Sequence, residues 1–100
     1  MSEQRMFGGR TPFGETSWQQ YHGGKGVFVD VDTSSAQFKA IPSYTISIGG
    51  YQSHWATTGG SAVYGATPSG FRVYLRWADG GPMSLSSIAA YGWHVNWIGI

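Results

Sequence analysis

The chain has 100 residues, with six Lys or Arg against five Asp or Glu, a formal net charge of +1 and no cysteine. So small a charge, with no local cluster of basic residues, argues against a nucleic-acid-binding protein. The lack of cysteine excludes disulfide bonds and thiolate metal ligands. The 16 glycines and the 16% of aromatic residues are typical of tight turns and strand faces, which indicates one all-β domain.

The first quarter of the chain has the least regular pattern. Glycines and a proline interrupt any regular element between residues 8 and 14. The aromatic residues Phe13, Trp18 and Tyr21 nevertheless predict that residues 1–25 pack on the domain or lie at an oligomer interface. The remaining residues, 26–100, are predicted to form the domain itself.

From residue 26 onwards, apolar and polar residues alternate in short runs that Gly and Pro separate. Strands are predicted at residues 26–33, 44–48, 61–64, 70–77 and 93–100. Residues 51–60 are predicted to be an exposed loop, and residues 84–91 one or two helical turns that begin at a Ser cap and end at Gly92. The pattern indicates an antiparallel β-sandwich of about six strands, with a small barrel as the alternative.

The last two predicted strands each have one apolar and one polar face. In the final strand His94 and Asn96 lie opposite the apolar face, and the strand at 70–77 alternates in the same way. The tryptophans of these strands are predicted to lie in the core: Trp77, Trp93 and Trp97. Polar side chains held on a rigid sheet are typical of a recognition surface rather than of a catalytic site.

Several short motifs resemble known lectins. The order Phe38 to Pro42, Tyr44 to Ile48, Thr67 to Phe71, Trp77 and the closing Trp93 to Ile98 resembles the H-type lectin domain. The runs 28–33, 53–59 and 92–94 are similar to the small fungal and plant proteins related to the α-galactosyl-binding lectin of Lyophyllum decastes. The resemblance implies a six-stranded antiparallel sandwich that binds galactose or N-acetylgalactosamine.

The chain departs from the H-type pattern near the implied sugar site. H-type lectins carry a Trp-His pair after the Gly-Phe strand, whereas Trp77 is followed here by Ala78 and Asp79. An Arg–Asp pair that helps to build the H-type site has no evident counterpart. The resemblance therefore implies a galactoside preference, while the site residues have to be sought in this sequence itself.

A galactose-type sugar presents an apolar C–H patch, which stacks on an aromatic ring, and hydroxyls, which need polar partners. His54 and Trp55 fit this requirement best, because they lie in a polar, glycine-flanked loop without core periodicity. We expect Trp55 to stack on the sugar and His54 to hydrogen-bond it. The alternative is that Trp55 folds back and plugs one end of the sandwich.

The further ligand-binding candidates are Arg76, Asp79, His94, Asn96 and Tyr64. Arg76 and Asp79 flank the turn where H-type lectins contact sugar; the alternative is an exposed ion pair of little energetic value. His94 and Asn96 would either bond a ligand or face solvent on an edge strand. Tyr64, like Tyr74, is either a ligand contact or a cross-strand packing partner.

Asp30 and Asp32 share one strand face and raise three interpretations. A calcium site would need more oxygen ligands nearby, and a glycosidase pair would need a cleft, so we favour a solvated strand edge. The three histidines at 22, 54 and 94 lack the spacing of a zinc site. We expect no catalytic residue, no metal ligand and no cofactor.

The sequence thus predicts a non-enzymatic lectin for terminal galactose-type sugars, α-galactosides or N-acetylgalactosamine, on glycolipids or glycoproteins. Because single sugar sites bind weakly, we expect a homo-oligomer, a dimer rather than a trimer. The alternative is a structural or membrane-interacting, toxin-like oligomer, and an enzyme ranks third. No signal pattern or long apolar run is seen, so we expect no membrane insertion; cytoplasmic synthesis with non-classical release is consistent with this pattern.

Overall fold

The computed structural model describes residues 5–21 and 23–100. These residues form eight strands and one α-helix, in the order β1 (Phe7–Arg10), β2 (Gln19–Tyr21), β3 (Gly26–Asp32), β4 (Tyr44–Gly49), β5 (Thr57–Thr58), β6 (Tyr64–Thr67), β7 (Gly70–Trp77), α1 (Leu85–Ala90) and β8 (His94–Gly99). Short 3-10 turns lie at Ser34–Ala36 and His54–Ala56.

The strands form two antiparallel sheets that pack as a β-sandwich. The three-stranded sheet has the order β1-β8-β4, and the five-stranded sheet has the order β2-β3-β7-β5, with β6 also paired to β7. The predicted all-β antiparallel sandwich is confirmed. The described residues form eight strands where the sequence indicated about six, because β1, β2 and β5 are too short and too exposed to show a burial alternation.

The inward-pointing side chains of β3 and β7, which are neighbours in one sheet, supply the centre of the core. Val29 lies opposite Val73, and Val31 lies opposite Phe71; all four side chains are buried. Burial of such a side chain contributes about 1.5–3 kcal/mol. A slip of one residue would turn the whole set to solvent, so this apolar pairing fixes which residues face outward.

The tryptophans predicted to lie in the core do so. Trp93 and Trp97 are buried, and Trp77 is partly buried with its ring 5.2 Å from the ring of Trp93 in an edge-on arrangement. Trp18 joins them, because its Nε1 donates a hydrogen bond to the backbone oxygen of Trp93 at 3.0 Å. The N-terminal segment is thereby tied to the centre of the sandwich.

Residues 5–21, which were expected to pack on the domain or at an oligomer interface, supply an edge strand to each sheet. β1 pairs with β8 in the three-stranded sheet, and β2 pairs with β3 in the five-stranded sheet. Residues 1–4 of this predicted segment lie outside the described residues.

The predicted helical turn near residue 85 is confirmed as α1. The hydroxyl of Ser84 caps it by accepting a hydrogen bond from the backbone N–H of Ser87 at 3.3 Å, and Ile88 is buried against the core. Gly92 follows with a φ of +70°, a conformation that glycine adopts without steric cost. Within residues 5–21 and 23–100, no helix has the length and apolar character that crossing a membrane requires.

The segment between β4 and β7 differs from its prediction. The expected loop at 51–60 contains β5, in which Thr57 pairs with Trp77. The strand expected at 61–64 begins only at Tyr64, opposite Arg72. Between the two strands lies a turn that begins at Gly59, which has a φ of +101°, and in which the backbone N–H of Ala62 donates a hydrogen bond to the oxygen of Gly59. β5 and β6 therefore share one edge of β7.

Candidate functional site

The outer face of the five-stranded sheet carries a cluster of aromatic rings. Because side chains alternate along a strand, the inward valines leave Phe28 of β3 and Tyr74 of β7 facing outward and opposite each other. Tyr21 and Tyr64 flank Tyr74 in edge-on contacts, with ring centroids at 5.0 Å and 5.1 Å. Residues from four strands thus meet on one surface.

A groove of about 670 Å³ lies over this surface. Three tyrosines line it, Tyr21, Tyr64 and Tyr74, and we call it the tyrosine groove. The polar side chains on its lining are Lys25, Thr58 and Arg76. Thr58 and Arg76 are cross-strand partners, which places the hydroxyl and the guanidinium side by side.

Two glycines that line the groove lie close to the backbone of β7. Gly26 pairs with Tyr21, and a Cβ at this position would lie 3.2 Å from the backbone oxygen of Leu75. Gly59 approaches β7 so closely that a Cβ would collide with the backbone oxygen of Tyr74. A side chain at either position would therefore crowd the backbone of β7.

A second hollow of about 390 Å³ adjoins the groove and shares Tyr64 and Tyr74 with it. Its lining includes the ion pair of Arg72 and Asp30, which is bidentate, with Nε to Oδ1 at 2.7 Å and Nη2 to Oδ2 at 2.9 Å. The Arg72 guanidinium also lies 4.3 Å above the ring of Phe28. The hydrogen bonds from Arg72 hold the pKa of Asp30 below its usual value, so the pair is fully ionised at neutral pH.

Two of the predicted site residues, Tyr64 and Arg76, line the tyrosine groove. Asp79 follows β7, where its Oδ1 accepts a hydrogen bond from the backbone N–H of Gly81 at 2.9 Å. The alternative of an Arg76–Asp79 surface pair is wrong, because Arg72 with Asp30 is the one ion pair among the described residues.

The predicted loop pair, His54 and Trp55, does not line the groove. Trp55 is 88% exposed, so the alternative that it plugs the sandwich is wrong. The 3-10 turn that carries it is fixed by a hydrogen bond from the backbone N–H of Ala78 to the oxygen of Ala56 at 2.9 Å. His54 Nδ1 is buried and has no hydrogen-bond partner in the described part of the chain.

His94 and Asn96 lie on the other sheet, away from the groove. His94 is only 3% exposed, because its Nδ1 contacts the backbone oxygen of Gly92 at 2.9 Å and Phe13 covers its ring at 4.5 Å. The expectation of an edge strand is wrong, since β8 is the central strand of its sheet. Asn96 is partly buried, and its Nδ2 donates to Ser47 Oγ at 3.4 Å.

Asp30 and Asp32 have separate partners. Asp30 binds Arg72, whereas Asp32 Oδ1 accepts a hydrogen bond from the backbone N–H of Ser34 at 2.8 Å. Hydrogen bonds from the side chain and the backbone of Ser34 lower the pKa of Asp32. No group of three metal-binding side chains occurs in the regions 5–21 and 23–100. His22, one of the three histidines, lies outside them.

Sequence reasoning missed most of the groove. The sequence predicts only packing for Tyr21, and its pattern gives no indication of a site at Lys25 or Thr58. Tyr74 was recognised as outward-facing from its alternation with Val73 and Leu75. What the alternation could not give was the register that sets Tyr74 beside Tyr21, because these residues are 53 positions apart and meet only through β3.

A scan of the chain against models of known protein families found no match, and neither did a search of curated proteins. The resemblance to H-type lectins therefore stays a prediction based on short motifs. The strongest indication of function is the geometry of the tyrosine groove.

Proposed function

We propose that this protein is a non-enzymatic carbohydrate-binding protein and that the tyrosine groove is its sugar site. The observation that carries the proposal is the lining of the groove, which combines three tyrosines with Lys25, Thr58 and Arg76. Aromatic rings stack on the C–H faces of sugars, and the hydroxyls of a sugar need nearby donors and acceptors. One surface supplies both.

The size and rigidity of the groove support the same function. Its volume of about 670 Å³ lies within the usual range for small-molecule sites, about 300–1,000 Å³. Tyr64 and Tyr74 also border the second hollow, so a second sugar ring could extend over the Asp30–Arg72 pair. Tyrosines on a fixed sheet lose little conformational entropy when a ligand binds.

The lining also favours binding over hydrolysis. Glycosidases place two carboxyl groups on either side of the bond they cleave. The lining of the groove, as far as the structure describes it, contains no Asp, Glu or His. Thr58 and the tyrosine hydroxyls can orient a sugar, but they offer no acid–base pair for cleavage.

For the sugar class, the motif resemblance supports terminal galactose-type residues, α-galactosides or N-acetylgalactosamine, on glycolipids or glycoproteins. We propose a homo-oligomer, dimeric rather than trimeric, because several weak sites in fixed geometry give useful avidity. Sedimentation velocity of the full chain measures this state, and a monomer at all concentrations would contradict it.

A glycan array with the full-length protein, with and without chelator, tests the function. We expect binding to galactose-containing glycans that chelator does not change. In the variant Tyr64→Ala the signal should fall about 10-fold or more, because an aromatic ring that a bound ligand covers typically contributes that much to affinity. Ile98→Ala is the control, since Ile98 is 48% exposed, close to the 52% of Tyr64, but lies on the other sheet.

The variant Trp55→Ala distinguishes between two candidate sugar sites, the tyrosine groove and the loop that the sequence predicts. If the groove is the site, this variant keeps its glycan binding. If it loses binding while Tyr64→Ala keeps it, the site is the 54–56 turn instead. A blank array, followed by binding of the wild-type protein to lipid vesicles that Trp55→Ala abolishes, would replace the lectin proposal by the membrane-interacting alternative.

A further inference from the structure

The charges on the tyrosine groove are all of one sign. Lys25 and Arg76 line it, and no acidic side chain of the described residues does so. The chain as a whole carries a formal charge of only +1, so this pair of cations is a local excess rather than a reflection of a basic protein. A neutral galactoside would carry no negative group to compensate these two positive charges.

Arg76 differs in this respect from the other outward-facing arginine of β7. Arg72 is held by both carboxylate oxygens of Asp30, which neutralises it and fixes its position. Among the described residues that bidentate contact is the one ion pair, so the guanidinium of Arg76 has no carboxylate partner there. β7 thus carries one arginine that is paired with a carboxylate, Arg72, and one whose charge is available to a ligand, Arg76.

The position of Arg76 is suited to an anion at the groove. Its cross-strand neighbours are Gly26 on one side and Thr58 on the other, so a small residue and a hydroxyl lie beside it. A guanidinium binds planar or tetrahedral oxyanions with paired N–H donors, and a threonine hydroxyl can donate a further hydrogen bond.

We propose that the tyrosine groove selects a sugar that carries an acidic group, a carboxylate or a sulfate ester, and that Lys25 and Arg76 bind this group while the sugar ring stacks on the tyrosines. This inference rests on the proposed function, because it names the class of sugar for the same site. It changes the expected ligand from a neutral galactoside to an acidic one, such as a galactoside bearing sialic acid or sulfate.

The proposal has two physical consequences. Charge-assisted hydrogen bonds are roughly twice as strong as neutral ones, so we expect an acidic sugar to bind about 10- to 100-fold more tightly than its neutral parent. Because the groove is open to solvent, this difference should shrink at high ionic strength, where the Debye length is only about 3 Å.

Titration calorimetry with three related probes tests the proposal: lactose, 3′-sulfolactose and 3′-sialyllactose. We expect both acidic probes to bind more tightly than lactose, with sulfate and carboxylate distinguished by their two affinities. Arg76→Gln should remove most of this difference and Lys25→Gln part of it. The control is Arg10→Gln, which removes an exposed arginine from the three-stranded sheet and should leave the difference unchanged.

The outcomes separate this inference from the function it rests on. Equal affinity for all three probes, lost in Tyr64→Ala, would overturn the acidic preference and keep the sugar site. An acidic preference that survives Arg76→Gln and Lys25→Gln, with folding verified by circular dichroism, would overturn the assignment of these residues. No binding of any probe, together with a blank array, would overturn both proposals.

Discussion

The outer faces of the two sheets carry hollows of comparable size, about 670 Å³ on the five-stranded sheet and about 480 Å³ on the three-stranded sheet. The first is lined by three tyrosines and two cations, whereas the second has no tyrosine and one cation, Arg10, among apolar, glycine and short polar residues such as Thr45 and Ser47. Volume alone therefore does not distinguish the two hollows. The composition of the lining distinguishes the two faces.

The difference comes from neighbouring strands rather than from the central strands themselves. β7 and β8 have similar alternation, each with polar side chains outward. Tyr74 of β7 lies beside Phe28, and their rings are 6.0 Å apart. Asn96 of β8 instead lies opposite Ser47. The same pattern thus yields an aromatic groove on one sheet and a shallow polar surface on the other.

The largest difference between the two faces is expected from Gly59→Ala, which should disrupt the five-stranded face alone. The new methyl group would collide with the backbone oxygen of Tyr74, and the φ of +101° disfavours any side chain. Strain and overpacking together should lower the free energy of unfolding by about 2–4 kcal/mol. Thermal unfolding measures this loss, and calorimetry should show sugar binding weakened about 10-fold or more, because Tyr74 lies in the groove.

Gly65→Ala is the matched control for that prediction. Gly65 also has a positive φ, +60°, but a Cβ added there would meet no atom within 4 Å. Only the cost of the left-handed conformation remains, about 1–2 kcal/mol. Equal destabilisation by the two substitutions would show that close approach to β7 is not what requires glycine at 59.

A medium effect is expected on the three-stranded face, where His94→Ala and Asn96→Ala test the two predicted site residues of β8. His94 is buried under Phe13, so its removal leaves a cavity and should cost about 1–3 kcal/mol. Asn96→Ala should change stability by no more than about 0.5 kcal/mol. Urea denaturation measures both values.

Neither substitution on β8 should change the affinity for sugar, because both residues lie on the sheet opposite the groove. A loss of binding in Asn96→Ala with an intact fold would contradict this and would place the site on the three-stranded face. A stable His94→Ala variant would show that the Phe13 cover is not tightly packed.

These two faces also show how much the sequence could predict. Alternation identified the apolar sides of β3, β7 and β8, because a period of two residues is a local property of a strand. It also placed Tyr74 and Arg76 outward. The Ser84 cap and Gly92 marked the ends of α1, since capping depends on residues within a few positions of each other.

What the sequence could not give was the assembly of distant residues. Tyr21 and Lys25 reach the groove only because β2 pairs with β3 at the sheet edge, and a strand of three exposed residues such as β2 leaves no periodic signal. His94 has the alternation of an exposed residue, yet Phe13 of the N-terminal segment covers its ring. Trp55 is of a residue type that often binds sugars. Its position relative to the groove, however, depends on where β5 pairs with β7, which the local sequence does not show.

The smallest effect is expected from the ion pair that borders the groove. Hydrogen bonds from Arg72 lower the pKa of Asp30 from its usual 3.8. Because the folded state holds Asp30 ionised more strongly than the unfolded state does, the ion pair stabilises the protein at pH values above 3.8. This stabilisation is lost as the pH falls through the lowered pKa of Asp30. Because both side chains are substantially exposed, solvent and salt screen the pair and keep its contribution small.

Asp30→Asn should therefore lower the urea midpoint slightly at neutral pH, and the gap to wild type should close as the pH falls through the lowered pKa of Asp30. The same substitution in an Arg72→Gln background should show no such pH-dependent gap, since the partner that lowers the pKa is gone. A gap that persists in the double variant would mean that Asp30 is stabilised by groups other than Arg72. The contrast between Arg72 and Arg76 that supports an acidic ligand would then be weakened.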